Sequence, residues 1–263
     1  MTERKPVHIA MYSGGASSAY VAYQMVQMYG KENCILFFTN TLWEDDDNYR
    51  FMDEVAEYIG IEITERIDGR TPEEVFFDSR FLGNSRFAKC SQELKVRQTI
   101  LFLEELRDEH QLEPILYFGI GPHEAHRAEN LTHFYEHYPV EPVETRFPMI
   151  DTFREDVDVK AIIEEEWGIK LPRMYELGFS HANCAGRCVR GGFQHYAQLY
   201  SVWPDQYALQ EEMEENFRSE FQKDVSILKK DSKPFTLREY REILERDGVE
   251  SYLKVPDDTV PCV

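Results

Sequence analysis

Val7-His8-Ile9-Ala10-Met11-Tyr12-Ser13-Gly14-Gly15-Ala16-Ser17-Ser18-Ala19-Tyr20 runs from an apolar strand pattern, through a glycine turn, into a helical pattern. Val7 to Tyr12 is a short apolar run, and from Ala19 to Tyr29 apolar residues recur at helical spacing (Ala19, Ala22, Tyr23, Val26). Two successive glycines can take backbone angles closed to other residues, so consecutive amides can face one hollow. The helix N-terminus behind them adds partial positive charge, and Ser13, Ser17 and Ser18 add hydroxyl donors, which together make an anion cradle. The competing reading is an ordinary turn in which Ser17 or Ser18 caps the helix. Position favours the cradle, because the turn lies at the carboxyl end of the first strand, where α/β sheets bind ligands. No Gly-Lys-Ser or Gly-Lys-Thr follows, so this is not a Walker A loop. The third glycine of a dinucleotide fingerprint is missing too.

Outward from this turn the pattern alternates. Cys34 to Thr39, Ile61 to Ile67, Ile115 to Ile120 and Phe147 to Ile150 read as strands. Asp45 to Ile59, Glu93 to His110 and about Asp156 to Trp167 read as helices, with Leu94, Ile100, Leu101, Leu103 and Leu106 on the apolar side of the second. Strands alternating with helices predict a Rossmann-like α/β fold, a parallel sheet with helices on both faces. From about Leu171 the sequence becomes helical and loop-rich, with helices near Asp205 to Phe221 and Thr236 to Arg246. The expected division is a nucleotide-binding α/β domain over 1–170 and a helical, cysteine-containing region over 171–263, with a tail from Pro256.

Of 263 residues, 49 are acidic and 29 basic, giving a net charge of −20. Such a chain is repelled by nucleic acid and by anionic membranes unless its cations are gathered locally. General nucleic-acid binding is therefore excluded as an expectation, and no apolar run is long enough to cross a bilayer. Five cysteines, an odd number, do not form a disulfide framework, which points to a reducing cytoplasm.

Tyr12-Ser13-Gly14-Gly15 with Ser18 resembles the PP-loop of the ATP pyrophosphatase and adenine nucleotide alpha-hydrolase superfamily. The order of the later segments resembles its phosphoadenosine phosphosulfate (PAPS) reductase branch, including phage-encoded proteins of that kind. Thr39-Asn40-Thr41, with acids from Glu44, stands where that branch has its second-strand motif. Cys90 with Lys95 resembles its Cys…Lys segment, and Gly119-Ile120-Gly121 with Glu124 and Arg127 its segment after a later strand. The resemblance covers roughly residues 7 to 130. It implies an adenine nucleotide, ATP or PAPS, held with Mg2+ by Ser13, Gly14, Gly15, Ser17, Ser18, Thr39, Asn40, Gly119, Gly121 and Glu124. The chain departs from the family at Ala16 and Ser17, where Lys and Asp are usual, and at Gly121, near a sulfate-binding Arg. The Glu-Cys-Gly-Leu-His tail of the reductases is absent.

Two segments run against the acidic background. Ser79 to Gln98 holds Arg80, Arg86, Lys89, Lys95 and Arg97 against Glu93, and Phe179 to Gln198 holds Arg187 and Arg190 with no acid. They also contain Cys90, Cys184 and Cys188. Cations beside thiols suggest an anionic ligand and favour thiolate. Cys184 and Cys188 with Cys90 would suit a [4Fe–4S] cluster, three thiolates leaving one position open. With His181 as fourth ligand they would suit zinc, which is the less favoured metal. A redox-active or structural pair without metal is the alternative. Cys34 reads as core, and Cys262 as an inert tail residue or a stand-in for the reductases' mobile nucleophile. His123 and His126 follow the strand that ends at Gly121 and could contact the nucleotide or the substrate, with exposed loop residues as the competing reading, the one favoured for His123.

The resulting expectation is an enzyme that adenylates a substrate oxygen with release of pyrophosphate and then supports sulfur transfer to a nucleobase or nucleic-acid backbone. Lys95 or Arg127 would stabilise charge at the α-phosphate, and Cys90, Cys184 and Cys188 would deliver sulfur. The alternatives are thiol-dependent reduction of PAPS or adenylyl sulfate and non-catalytic binding of an adenine nucleotide. Implied partners are a sulfur donor or a thioredoxin-like reductant and a locally bound nucleic acid, with oligomerisation left open.

Overall fold

The computed structural model describes residues 4–84, 87–152 and 157–253. These residues fold into two compact units. The first is built from residues up to Asn40, Asp46–Arg66 and Arg97–Pro172. The second gathers Thr41–Asp45, Ile67–Val96 and the residues from Arg173 onward, so it is discontinuous in sequence.

In the first unit, β1 (Lys5–Met11), β2 (Cys34–Asn40), β3 (Ile63–Ile67), β4 (Leu112–Tyr117) and β5 (Glu144–Arg146) form one sheet in the order β3-β2-β1-β4-β5. β1 pairs in parallel with β2 and β4, placing Ile9 opposite Ile35 and Leu116, and β4 pairs in parallel with β5. The successive residues Leu36 and Phe37 point to opposite faces and are both buried, so both faces of the sheet are covered. α1 (Ala16–Tyr29) buries Ala19, Ala22, Met25 and Val26, and Phe102 of α4 (Arg97–Asp108) stacks on Phe37 at 4.4 Å between ring centroids. α2 (Asp46–Ile59) opens on acids in its first turn, as the helix dipole favours. From β1 the strand order runs outward through β2 on one side and β4 on the other. The carboxyl ends of β1 and β4 therefore flank a topological switch point.

Two local expectations change. Phe147 to Ile150 is not a strand: the last strand ends at Arg146, and Pro148 begins a short helix, Pro148–Asp151. Proline at a first helical position loses no hydrogen bond, whereas in a strand it deletes a ladder donor. The helix expected over Glu93 to His110 begins as a π-helical turn, Ser91–Val96, and continues as α4. A π turn takes up an extra residue and so shifts the phase of the helix beyond it. Leu94 is accordingly buried, while Leu101, seven residues on, is 50% exposed and the buried stripe becomes Thr99, Phe102, Leu103 and Leu106.

In the second unit, α3 (Pro72–Ser79) starts with a reciprocal Thr71–Glu74 capping box. α5 (Ala125–His137) belongs to the first unit, and the helical region resumes with α6 (Phe193–Val202), α7 (Pro204–Phe221) and α8 (Leu237–Asp247), the last opened by a Thr236–Glu239 capping box. Between α7 and α8 lies an antiparallel ribbon, β6 (Leu228–Lys230) and β7 (Lys233–Phe235). Its turn uses Asp231 and Ser232, both at positive φ, as a two-residue hairpin requires. The buried carboxylate of Glu214 on α7 accepts the Ile227 and Leu237 N–H groups at 2.7 Å each, fastening both ends of the ribbon. Cys90, Cys184, Cys188, Tyr196, Tyr207 and Phe217 share this unit's apolar core.

Candidate functional site

The glycine turn is fixed by three contacts. Gly14 sits at φ +76°, and a Cβ there would lie 2.5 Å from both Nδ2 and Oδ1 of Asn48 on α2. Gly15 is the N-cap of α1 with extended backbone angles, and no side chain caps the helix. Ser18 instead braces the loop. Its hydroxyl donates to the Gly15 carbonyl at 2.8 Å and accepts the Ser13 N–H at 3.3 Å, stitching the turn to the first helical turn. Neither Ser17 nor Ser18 is an N-cap. The α1 N-terminus thus keeps its dipole and amide donors turned to the end of the loop, the arrangement that attracts oxyanions.

Gly119 follows β4 at the other side of the switch point. A Cβ on it would come within 2.6 Å of the Ser18 nitrogen, 2.7 Å of the Ser17 carbonyl carbon and 2.8 Å of the Ser18 Cα. The strand exit and the helix start thus touch backbone to backbone, which only glycine permits. Gly121, two residues on, faces open space, and Glu124 forms an ion pair with Arg127. Asn40 at the end of β2 is engaged from two sides: its Nδ2 donates to Glu65 at 2.7 Å, and its Oδ1 accepts the Tyr49 hydroxyl at 2.8 Å. Thr39 precedes it, half-buried.

Asn48 is the residue that sequence reasoning missed. It is fully buried, yet neither its Nδ2 nor its Oδ1 has a hydrogen-bond partner among the described residues. An orphaned buried amide costs on the order of 1–3 kcal/mol, and this one lies against the anion cradle. The available signal was its place in α2, where it occupies the stripe continued by Phe51, Met52, Val55 and Ala56. A polar residue on that face asks for a partner.

The second unit holds the thiols. Cys90 and Lys95 are buried at the start and within the π turn, and Cys184 and Cys188 lie on the loop before α6, all three cysteines outside any disulfide. Cys184, Ala185 and Gly186 take positive φ in succession (61°, 46° and 79°), and each non-glycine residue held there costs roughly 1–2 kcal/mol. The loop is held from several sides. Glu44 accepts the Cys184 N–H at 2.7 Å, His195 bonds the Gly186 carbonyl at 2.7 Å, and the Tyr196 hydroxyl donates to the Cys188 carbonyl at 3.0 Å. The His181 ring stacks beside that of His195, with 5.8 Å between centroids. Arg187 stacks over Trp43 at 4.1 Å, and burial pulls its pKa down, only partly offset by Cys184, Glu73 and Tyr196. The Nε groups of Arg187 and Arg190 are buried without an acceptor among the described residues. Asp45 is instead matched, held by both Nε and Nη2 of Arg173 at 2.8 and 2.5 Å.

Cys90, Cys184 and Cys188 all lie in the apolar core of the second unit. Among the described residues, the grouping whose ligand atoms lie within 4.8 Å of one another is His133, Glu136 and His137. Cys34 is buried in β2, its thiol pushed up to about 11 by burial and by Glu32. Arg86, Cys262 and the tail from Pro256 lie outside the described residues.

No family model matches this sequence, and no curated protein does. Among solved structures, the chain is similar to the crystal structure of a PAPS reductase from Candida auris in a phosphate complex. The identity is 16% and the TM-score 0.44, over 67% of this chain and 80% of that one.

Proposed function

We propose that the chain is a PP-loop enzyme of the PAPS reductase-like kind that binds ATP, adenylates an acceptor and supports sulfur transfer to it. The observation that carries this reading is the orphaned Asn48 amide beside an uncapped helix N-terminus at the switch point. A bound phosphate would accept from amides at the α1 N-terminus and from Asn48 Nδ2, giving the Asn48 donor the partner it lacks among the described residues.

In the proposed reaction an acceptor oxygen attacks the α-phosphorus of ATP, the bond to the β-phosphate oxygen breaks, and pyrophosphate leaves. The outer sulfur of a persulfide, supplied to one cysteine by a sulfane-sulfur donor, then attacks the activated atom, and AMP departs with the former acceptor oxygen. A second cysteine thiolate breaks the S–S bond to free the thiolated product, and a dithiol reductant returns the resulting disulfide to thiols. The loop from Ser13 to Ser18 would hold the leaving pyrophosphate, with Mg2+ offsetting its charge. Arg127 would offset charge at the α-phosphate. Cys90, Cys184 and Cys188 are the proposed sulfur carriers. Their donor set suits a [4Fe–4S] cluster, which they would hold with one iron open to a further ligand, and no step is routed through it. The buried Nε groups of Arg187 and Arg190 suit an anionic acceptor such as a nucleic-acid backbone.

The test is a nucleotide assay on the full chain with ATP, PAPS and adenylyl sulfate. Pyrophosphate release from ATP, stimulated by a nucleic-acid acceptor and a sulfane-sulfur donor, supports the proposal. Release of sulfite from PAPS with a dithiol reductant would replace it with reduction. Nucleotide binding without turnover would leave a binding protein.

A further inference from the structure

Four of the chain's eight histidines (His123, His126, His133 and His137) fall within fifteen residues, at and along α5. They play no part in the proposed reaction. His133, Glu136 and His137 stand at positions i, i+3 and i+4 of one helical turn, all exposed, with one ligand atom of each within 4.8 Å of the others. This spacing puts two imidazoles and a carboxylate on the same face.

Three further features point to a cation there. The Nδ1 of His137 lies 2.8 Å from the His133 carbonyl, so as its donor it leaves the Nε2 lone pair directed away from the backbone. Metal-binding histidines are commonly oriented in this way, by a carbonyl on the other ring nitrogen. The His133 and His137 rings lie only 4.3 Å apart. The cluster also occupies the last turn of α5, where the helix dipole favours positive charge, and His137 is its basic residue.

We infer that His133, Glu136 and His137 form a surface site for a divalent cation of the zinc class, with His2Glu ligation. Two imidazoles and one carboxylate match zinc's ligand preferences and leave a fourth position open for water or a donor from another molecule. The inference does not depend on nucleotide chemistry.

Equilibrium dialysis of the untagged full chain against micromolar Zn2+, followed by metal analysis, measures occupancy. The intact chain is expected to retain one more equivalent than His133→Ala or His137→Ala, with zinc affinity at this site falling about tenfold or more on losing either ligand. Because both side chains are exposed, the variants should keep the parent's melting temperature. A second readout locates the ion: ethoxyformylation mapped by mass spectrometry should show Zn2+ protecting His133 and His137 and not His123. Equal zinc retention by all three proteins, or unprotected His133 and His137 in the presence of Zn2+, overturns the inference.

Discussion

The carboxamide of Asn48 occupies the space where Gly14 would carry a side chain, 2.5 Å from the position of its Cβ, and it does so without a hydrogen-bond partner among the described residues. A buried amide with no partner destabilises the free protein. Asn48→Leu, close in shape, should therefore raise unfolding free energy by about 1 kcal/mol. The same change should weaken ATP binding by roughly 10- to 100-fold, since a hydrogen bond to a charged group is worth about 1.5–3 kcal/mol. Denaturant titration and nucleotide binding on one sample check both. A variant that is less stable yet binds normally would refute the role given to Asn48.

Gly119→Ala should be the more damaging of two glycine substitutions. Its new methyl meets backbone atoms of Ser17 and Ser18, which cannot swing aside, so a loss of about 1–3 kcal/mol is expected. Gly14→Ala meets only the end of the Asn48 side chain but must hold φ +76°, at a cost of about 1–2 kcal/mol. Melting curves rank the two, and both variants should lose nucleotide affinity.

How much of this was legible depends on where the information lies. The strand, glycine turn and helix could be read because periodicity and glycine placement are local. Leu101 was misplaced because a π turn leaves no trace in hydrophobic spacing and yet shifts every position after it. Asn48 was passed over because its meaning depends on Gly14, thirty-four residues away. The grouping of Thr41–Asp45 with the residues after Arg173 rests on pairs such as Glu44 with Cys184 and Asp45 with Arg173, which no local pattern announces.

Stability should depend on pH through Glu214. Burial raises its pKa to about 7, although the Ile227 and Leu237 N–H groups act to lower it. The folded protein therefore holds a proton that the unfolded chain has released between about pH 4.5 and 7. Over that window stability falls as pH rises, by up to roughly 3 kcal/mol, and the effect is complete above it. Subtracting the profile of Glu214→Gln from that of the parent should isolate this slope. A flat difference would show that Glu214 titrates normally.

Cys34 should be silent to alkylation. Its thiol, at about 11, is almost wholly protonated at neutral pH, and its side chain is buried. Iodoacetamide labelling read by mass spectrometry should leave Cys34 unmodified in native protein and label it fully after denaturation. Rapid native labelling would contradict the packing of β2.

The backbone contact between Gly119 and Ser18 has a thermodynamic consequence for whatever anion the turn receives. A loop wedged against a strand exit has little freedom left to lose, so its ligand is not required to order it. Binding at residues 13–18 should then carry a small entropic penalty and a heat-capacity change no larger than the contact area implies. Such a cradle acts as a mould set before its contents arrive.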